Sequence, residues 1–477
     1  MSRMREGFSA IAANRFGLGA RPGELAAIAD DGRDWLKAQL RAGPPVLSDP
    51  QLRSSQETLA QAQKLRQEIR AQRKSAEGAT APGKTGANDP AAAAQALPQF
   101  LRPIYLSEVT ARLREAVGTE RPFIERLTQF WSNHFAVSVD KQLLSGLAGS
   151  FEREAIRPHV LGTFSDLLLA VETHAAMLLY LDNHLSVGPH SPAALRLERR
   201  AQPRRLGINE NLAREILELH TLGVGGGYTQ ADVTAFAEVI TGWSIGGEGG
   251  GPFAGGEPGK FLFRPELHEP GAKRVLGTRY ADGGYGQGVA VLRDFAGHRS
   301  TARFIALKLA RHFIADEPPP QAVGRLAVAF TRSGGDLPTV YRALIDSREA
   351  WVEPLAKYKT PSDYIISGFR GLTLPVEAGQ PALTPFGVLG QRMWEPGSPA
   401  GWPDRSADWD GASALMKRIE WADALGQRLG NRRDAVQLAP QLLGANLSAA
   451  TRSAVAHAAS AAQALTLLLA APEFMRR

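Results

Sequence analysis

The sequence predicts a mainly α fold: a multi-helix globular protein with a small β-hairpin insertion and a low-complexity N-terminal insertion. Three observations lead there. Apolar residues recur at helical spacing along most of the chain, as in residues 123–134, where Phe123, Leu127, Phe130, Trp131 and His134 share one face. Strand-like alternation is confined to the ends of FLFRPELHEPGAKRVLG, residues 261–277. Between residues 41 and 96 the composition shifts to Gln, Ala, Lys, Gly and Pro, with few large apolar side chains.

Taken in order, residues 8–14 and 22–29 read as short helices around RFGLGARP, with another near 33–40. Within the insertion, 59–74 reads as a solvated helix and 75–90 as disordered. Periodicity resumes at Pro98; Thr119 is a cap candidate, with Pro122 in the first turn that follows. Helices are expected at 165–173 and 174–185, then a loop at 186–205 carrying Arg196, Arg199, Arg200, Arg204 and Arg205. Residues 257–280 hold the β-hairpin, with HEPGAK as its turn. Helices return at 289–296, 300–315, 321–332, 337–346 and 361–372. The loop 390–409 carries Trp394, Trp402 and Trp409, and three more helices close the chain. The expected organisation is N-terminal helices (1–40) packing on a main helical domain (97–477), with the insertion (41–96) between them.

A chain of 477 residues, 44% apolar and 22% charged, can bury a sizeable core. The net charge of +7 suits solubility or an acidic partner and is no nucleic-acid signature. The absence of cysteine excludes disulfides, thiolate metal sites and a cysteine nucleophile. The N-terminus lacks the apolar stretch of a signal peptide, and the longest apolar run, 464–471, is too short for a membrane span. Cytoplasmic is therefore the default localisation.

Residues 207–243 organise the chain: two helices joined by a glycine-rich turn. Leu212, Ala213, Ile216, Leu217, Leu219 and His220 fall on one face of the first. Gly223 is placed to end it in a left-handed conformation, and Thr229 with Asp232 reads as a capping box for the second. That second helix should bury Val233, Phe236, Ala237 and Ile240. The polar face of the first helix carries Glu210, Arg214 and Glu218 at i,i+4 spacing, with Asn209, Asn211 and Glu215 beside them. Such a face is either solvated and laced with ion pairs or turned into a cleft where carboxylates bind a metal or exchange protons.

His134, His174 and His220 each lie on or beside an apolar face, where a satisfied core histidine is the plain reading. Three of them near a carboxylate-rich helix also suggest a bundle-core metal site, although no pair has metal-ligand spacing. His268, Glu269 and Lys273 share a loop that is either a solvated turn or a tuned base. GWSIG at 242–246 matches a nucleophile elbow in letters only, since a helix precedes it. The glycine turn lacks the lysine of a P-loop, the arginine loop lacks interleaved aromatics, and the tryptophan loop is either a core cover or a carbohydrate or partner surface.

The motifs ANRFGLGARP, RLTQFWSNHF, NENLAREILELHTLGVGGGYTQADV with ITGW, HEPGAKRVLG, STARFIALKLARHFIAD, AKYKTPSDYIISGFR, SPAGWPD and APEFMRR resemble those of a bacterial family, domain of unknown function 1800. The resemblance covers nearly the whole chain outside the insertion. In the hairpin turn the family pattern is His-Asp followed by Gly-x-Lys, and Glu269 stands here for the aspartate. The resemblance implies a large helical bacterial protein, often encoded beside a sulfatase- or phosphatase-like family with an export signal. It thereby implies a partner and a periplasmic route by co-export.

These readings point to an enzyme or enzyme subunit, metal-assisted, with a polar cleft beside residues 209–218. Glu210, Glu215, Glu218, Arg214 and His268 are the catalytic candidates, and His134, Glu215 and Glu218 the candidate ligands of a divalent metal. Asn133, Asn209, Asn211, Asp232 and Lys273 form the supporting polar cluster. The alternative is a non-catalytic helical scaffold or escort for the sulfatase- or phosphatase-like partner.

Overall fold

Helices begin where the sequence supplies a cap. Thr163, Asp336, Asp434, Ser448 and Ser460 each accept a first-turn N–H, and Thr229/Asp232 and Thr360/Asp363 form complete capping boxes. The computed structural model describes residues 2–28, 31–78, 90–198, 207–247, 255–352 and 355–477. Among these it contains 22 α-helices and two small two-stranded antiparallel sheets, so the fold is mainly α. No helix among them is long and apolar enough to cross a membrane. One core cluster runs from Ile11 to Met475, with a small satellite of Val187, Ala193, Ala194 and Leu267. Phe16 is wedged into that core, its ring 5.8, 5.7 and 5.2 Å from those of Phe123, Phe313 and Trp351.

The 207–243 stretch folds largely as its pattern dictates. Leu212, Ala213, Ile216, Leu217 and His220 are fully buried, Leu219 only partly, and Val233, Phe236, Ala237 and Ile240 are fully buried on the second helix. Gly223 is left-handed (φ +84°). One feature departs from the pattern: the first helix is α-helical only over Asn211–Glu215 and continues as a π turn, Ile216–His220. The wider turn rotates everything after Glu215 relative to an ideal helix.

Other expectations need correction. The β region is two hairpins, not one. Trp243–Ile245 pairs with Phe261–Phe263, and Lys273–Val275 pairs with Thr278–Tyr280. HEPGAK is therefore a connector, and the tight turn is Leu276-Gly277, both at positive φ (49° and 77°), the conformation a two-residue hairpin favours. Pro98 and Pro103 lie inside the Pro90–Gly118 helix instead of starting it, because burial of Leu101, Val109 and Leu113 outweighs the missing backbone bonds. The helix expected at 174–185 is only Ala175–Tyr180, with His174 as its cap and Asp182 left-handed beyond it. Four helices close the chain after Trp409, not three. The helix in the insertion starts at Ser55 and buries Thr58, Leu59 and Ala62, so its first turns join the core. Most of 75–90, and the arginine loop beyond Glu198, lie outside the described residues.

Buried charges hold the N-terminal half together. Arg157 donates to both oxygens of Glu125 at 2.7 Å and to Glu152 at 2.9 Å, while Arg112 takes the other oxygen of Glu152 at 2.8 Å. All four groups are buried. Removing one partner strands the others without water, so Arg157→Ala should lower unfolding stability by about 3–5 kcal/mol in urea denaturation. Arg325→Ala, which breaks the half-exposed pair with Glu349, should cost no more than about 1 kcal/mol in the same assay.

Candidate functional site

On the carboxylate face at 209–218, Glu210 links two helices. Glu210 accepts from Thr234 at 2.6 Å, from Gln230 at 2.9 Å and from Arg214 at 3.1 Å, tying its helix to Gln230–Val239. Those side-chain bonds, Thr234 first, hold the Glu210 carboxyl below its usual range. Arg214 also lies 3.6 Å from Glu218, and Glu215 is half-buried, its carboxyl raised by burial. Asn209 donates to the carbonyls of Leu181 and Asp182 and accepts from the N–H of the exposed Asn211. Asp232, besides its capping role, accepts from Leu276 N–H at 2.7 Å and so fixes the second hairpin. His268 donates to the Thr241 carbonyl at 3.0 Å, and Lys273 to the carbonyls of Pro270 and Gly271. Among the described residues no group of three His, Asp or Glu side chains is placed to hold a metal ion, and His134, Glu215 and Glu218 are not brought together as one.

Two of the expected polar residues, Asn133 and His134, open instead onto a cavity of about 360 Å³. Its first wall is the Pro122–His134 helix. Of the apolar stripe read from the sequence, Phe123, Leu127 and Trp131 pack into the core while Phe130 and His134 reach the cavity wall, and a second stripe, Arg126, Gln129 and Asn133, lines the cavity at i, i+3, i+7. The Arg299–Phe313 helix contributes Lys308, Arg311 and His312, and the start of Pro361–Gly371 contributes Thr360, Ser362 and Asp363. The tryptophan loop closes the cavity. Asn133 clasps it with two bonds, Nδ2 to the Trp402 carbonyl (2.9 Å) and Oδ1 from the Trp402 N–H (2.8 Å). Gly401 sits against that clasp at φ +81°, where a Cβ would come within 2.3 Å of the Asn133 carbonyl oxygen.

Beneath the cavity floor lies a buried ion network. Arg126 donates to Asp363 Oδ1 at 2.8 Å, Arg477 Nε lies 2.8 Å from Oδ2, and Arg477 also donates to the His312 carbonyl at 2.7 Å. His312 Nδ1 is 3.3 Å, and Lys357 Nζ 3.4 Å, from Asp404 Oδ1. Burial would raise the Asp363 and Asp404 carboxyls, but Arg126 and Arg477 on the first, and His312, Lys357 and Arg477 on the second, hold both far below the carboxylate range. Burial pulls the cations the other way: Arg126 to about 10, Lys308 to about 8, Lys359 to about 7 and His312 to about 4. Six Lys and Arg side chains line the cavity against three Asp; Arg112, Arg126, Arg392 and Arg405 are paired with Glu152, Asp363, Glu395 and Glu317, and Asp404 with His312 and Lys357, which leaves Lys308 and Arg311 facing Asp408. Lys308 and Arg311 have no ion-pair partner among the described residues.

Several other polar groups of the wall keep an atom without a partner. Gln129 Nε2, the Trp394 and Trp402 indole N–H, His312 Nε2 and His134 Nδ1 are buried without a hydrogen-bond partner. His134 is 1% exposed, and its Nε2 lies 3.1 Å from the His220 carbonyl, which can only accept. The proton therefore sits on Nε2, and Nδ1 offers a bare lone pair. Burial, then Lys308 and His220, hold His134 well below its usual range, so it stays neutral. His220 is fixed in turn by Glu172 at 2.8 Å, with both side chains fully buried.

The single-residue readings missed Arg126, Gln129, Lys308, Arg311, His312, Asp363, Asp404 and Arg477. A signal was present: RLTQFWSNHF, STARFIALKLARHFIAD, AKYKTPSDYIISGFR, SPAGWPD and APEFMRR each supply at least one charged residue to this cavity or its floor. The chain belongs to the family described as protein of unknown function (DUF1800), whose model matches residues 11–476. No curated protein and no solved structure matches it.

Because His312 is neutral in the folded state down to about pH 4, the unfolded chain takes up its proton first, near about pH 6.5. Stability from this group is complete above that value and is lost as pH falls toward the folded one. The urea midpoint should therefore drop between about pH 7 and about pH 5, and His312→Gln should shrink that drop. An undiminished drop in the variant contradicts the assignment.

Proposed function

We propose that the chain binds a small oxyanion-bearing ligand in the cavity between the Pro122–His134 and Arg299–Phe313 helices and the tryptophan loop. The supporting observation is the Lys308 ammonium, which lies over the Phe304 ring but has no carboxylate partner among the described residues, beside Arg311 in a wall whose residues also hold buried N–H groups without an acceptor. A phosphate, sulfate or carboxylate offers the acceptors those donors lack, and in a site shielded from water each charged bond counts for more. The size suits a small molecule. On this reading the chemistry of the enzyme, or enzyme subunit, belongs to the cavity, where His134 supplies a hydrogen-bond acceptor and Lys308 a cation, and the 209–218 face braces two helices. The escort of a sulfatase- or phosphatase-like partner is the alternative, and it draws on that same bracing.

Inorganic phosphate or sulfate should raise the melting temperature of the wild-type protein and give a saturable isotherm. Lys308→Ala, which breaks no ion pair and only a cation–π contact with Phe304 at 5.6 Å, should keep the fold and bind about tenfold more weakly or worse. Equal binding by the variant, or no binding by the wild type, overturns the reading.

A further inference from the structure

A bare oxyanion leaves one group of the cavity wall unserved. A sulfate, a carboxylate or a phosphate-monoester dianion has only acceptors, which suit the indole N–H of Trp394 and Trp402 and the amide of Gln129. His134 presents the opposite need: its Nδ1 is a buried acceptor with no donor, because its other nitrogen is spent on the His220 carbonyl. Leaving such a group unpaired is costly. A hydroxyl resolves the mismatch, since it donates to a lone pair while accepting from an N–H. About 360 Å³ also leaves room for a body much larger than a phosphate group. The walls that would meet that body are the rings of Trp394, Trp402, Phe130 and Phe386, flat surfaces on which the C–H face of a sugar ring can lie. Trp394 is held there at a left-handed φ of +52°, its indole beneath the Arg112 guanidinium at 5.2 Å.

We propose that the ligand is a hydroxylated anion of sugar size, a phosphorylated or carboxylated polyol, whose charged group meets Lys308 and Arg311 and whose hydroxyl donates to Nδ1 of His134. This rests on the oxyanion reading above and assigns it a ligand class. Substitution at Nδ1 or at an indole N–H should therefore penalise hydroxylated ligands more than simple anions.

The test is isothermal titration with inorganic phosphate, glucose 6-phosphate, cyclohexylmethyl phosphate (the same shape without hydroxyls), glucuronate and cyclohexanecarboxylate. Wild-type protein should bind the hydroxylated member of one pair about tenfold or more tighter than its deoxygenated counterpart, although the latter is more apolar. The phosphate pair showing this assigns a phosphate as the charged group; the carboxylate pair assigns a carboxylate. His134→Phe should erase most of that preference while weakening inorganic phosphate less. Trp402→Phe keeps the ring and the backbone clasp of Asn133, loses one indole N–H, and should reduce the preference in a protein whose fold is unchanged. No preference within either pair, or a preference that survives both variants, overturns the proposal, with water then satisfying these groups. Inorganic phosphate still binding in that case leaves the oxyanion reading standing; failure of every probe removes both.

Discussion

The contact on which the rest depends is the shared carboxylate of Asp363, gripped by Arg126 from one side and by Arg477 from the other. Around it five segments distant in sequence converge: the Pro122–His134 helix, the Arg299–Phe313 helix, the start of Pro361–Gly371, the tryptophan loop through Asp404, and the segment ending at Arg477. Arg477 exchanges backbone bonds with Lys357 as well, so side-chain and backbone constraints reinforce each other. Burying such charges costs several kcal/mol per ion, a cost offset only when each has its partners. A hydrophobic cluster would hold the same helices with less penalty. What the ionic floor provides instead is a fixed field beneath a cavity.

That field explains the character of the cavity. Asp363 and Asp404 are engaged below and to the side, whereas Lys308 and Arg311 face the open space without an ion pair. The charge on Lys308 is kept at a cost, visible in the downward pull of burial on its ammonium. The lid is fixed by equally local means: the Asn133 amide reads both backbone groups of Trp402, and Gly401 is needed because any side chain there would strike Asn133. Glu172 and His220, fully buried behind the wall, hold the carbonyl that decides which nitrogen of His134 carries the proton.

Much of this was legible in the sequence where the controlling interactions are local. The capping box at Thr229, the left-handed Gly223 and the buried faces of the 207–243 helices follow from spacing alone. The π turn after Glu215 and the pairing of Trp243–Ile245 with Phe261–Phe263 do not, because each is decided by what the segment meets in the folded chain. The site was half legible for the same reason. Asn133 and His134 stand out as polar residues on an apolar helix, but the partners of Asp363 lie 237 residues before it and 114 after it. The Glu210–Arg214–Glu218 spacing announced charge without saying what it faced; in the fold Glu210 bonds to Thr234 and Gln230 on the next helix.

The most direct test of the central claim is crystallographic. A crystal soaked in tungstate or selenate should show an anomalous peak in the cavity, within hydrogen-bonding reach of Lys308 Nζ and the Arg311 guanidinium. Anomalous peaks only at other surfaces, with the cavity holding solvent, would contradict the account.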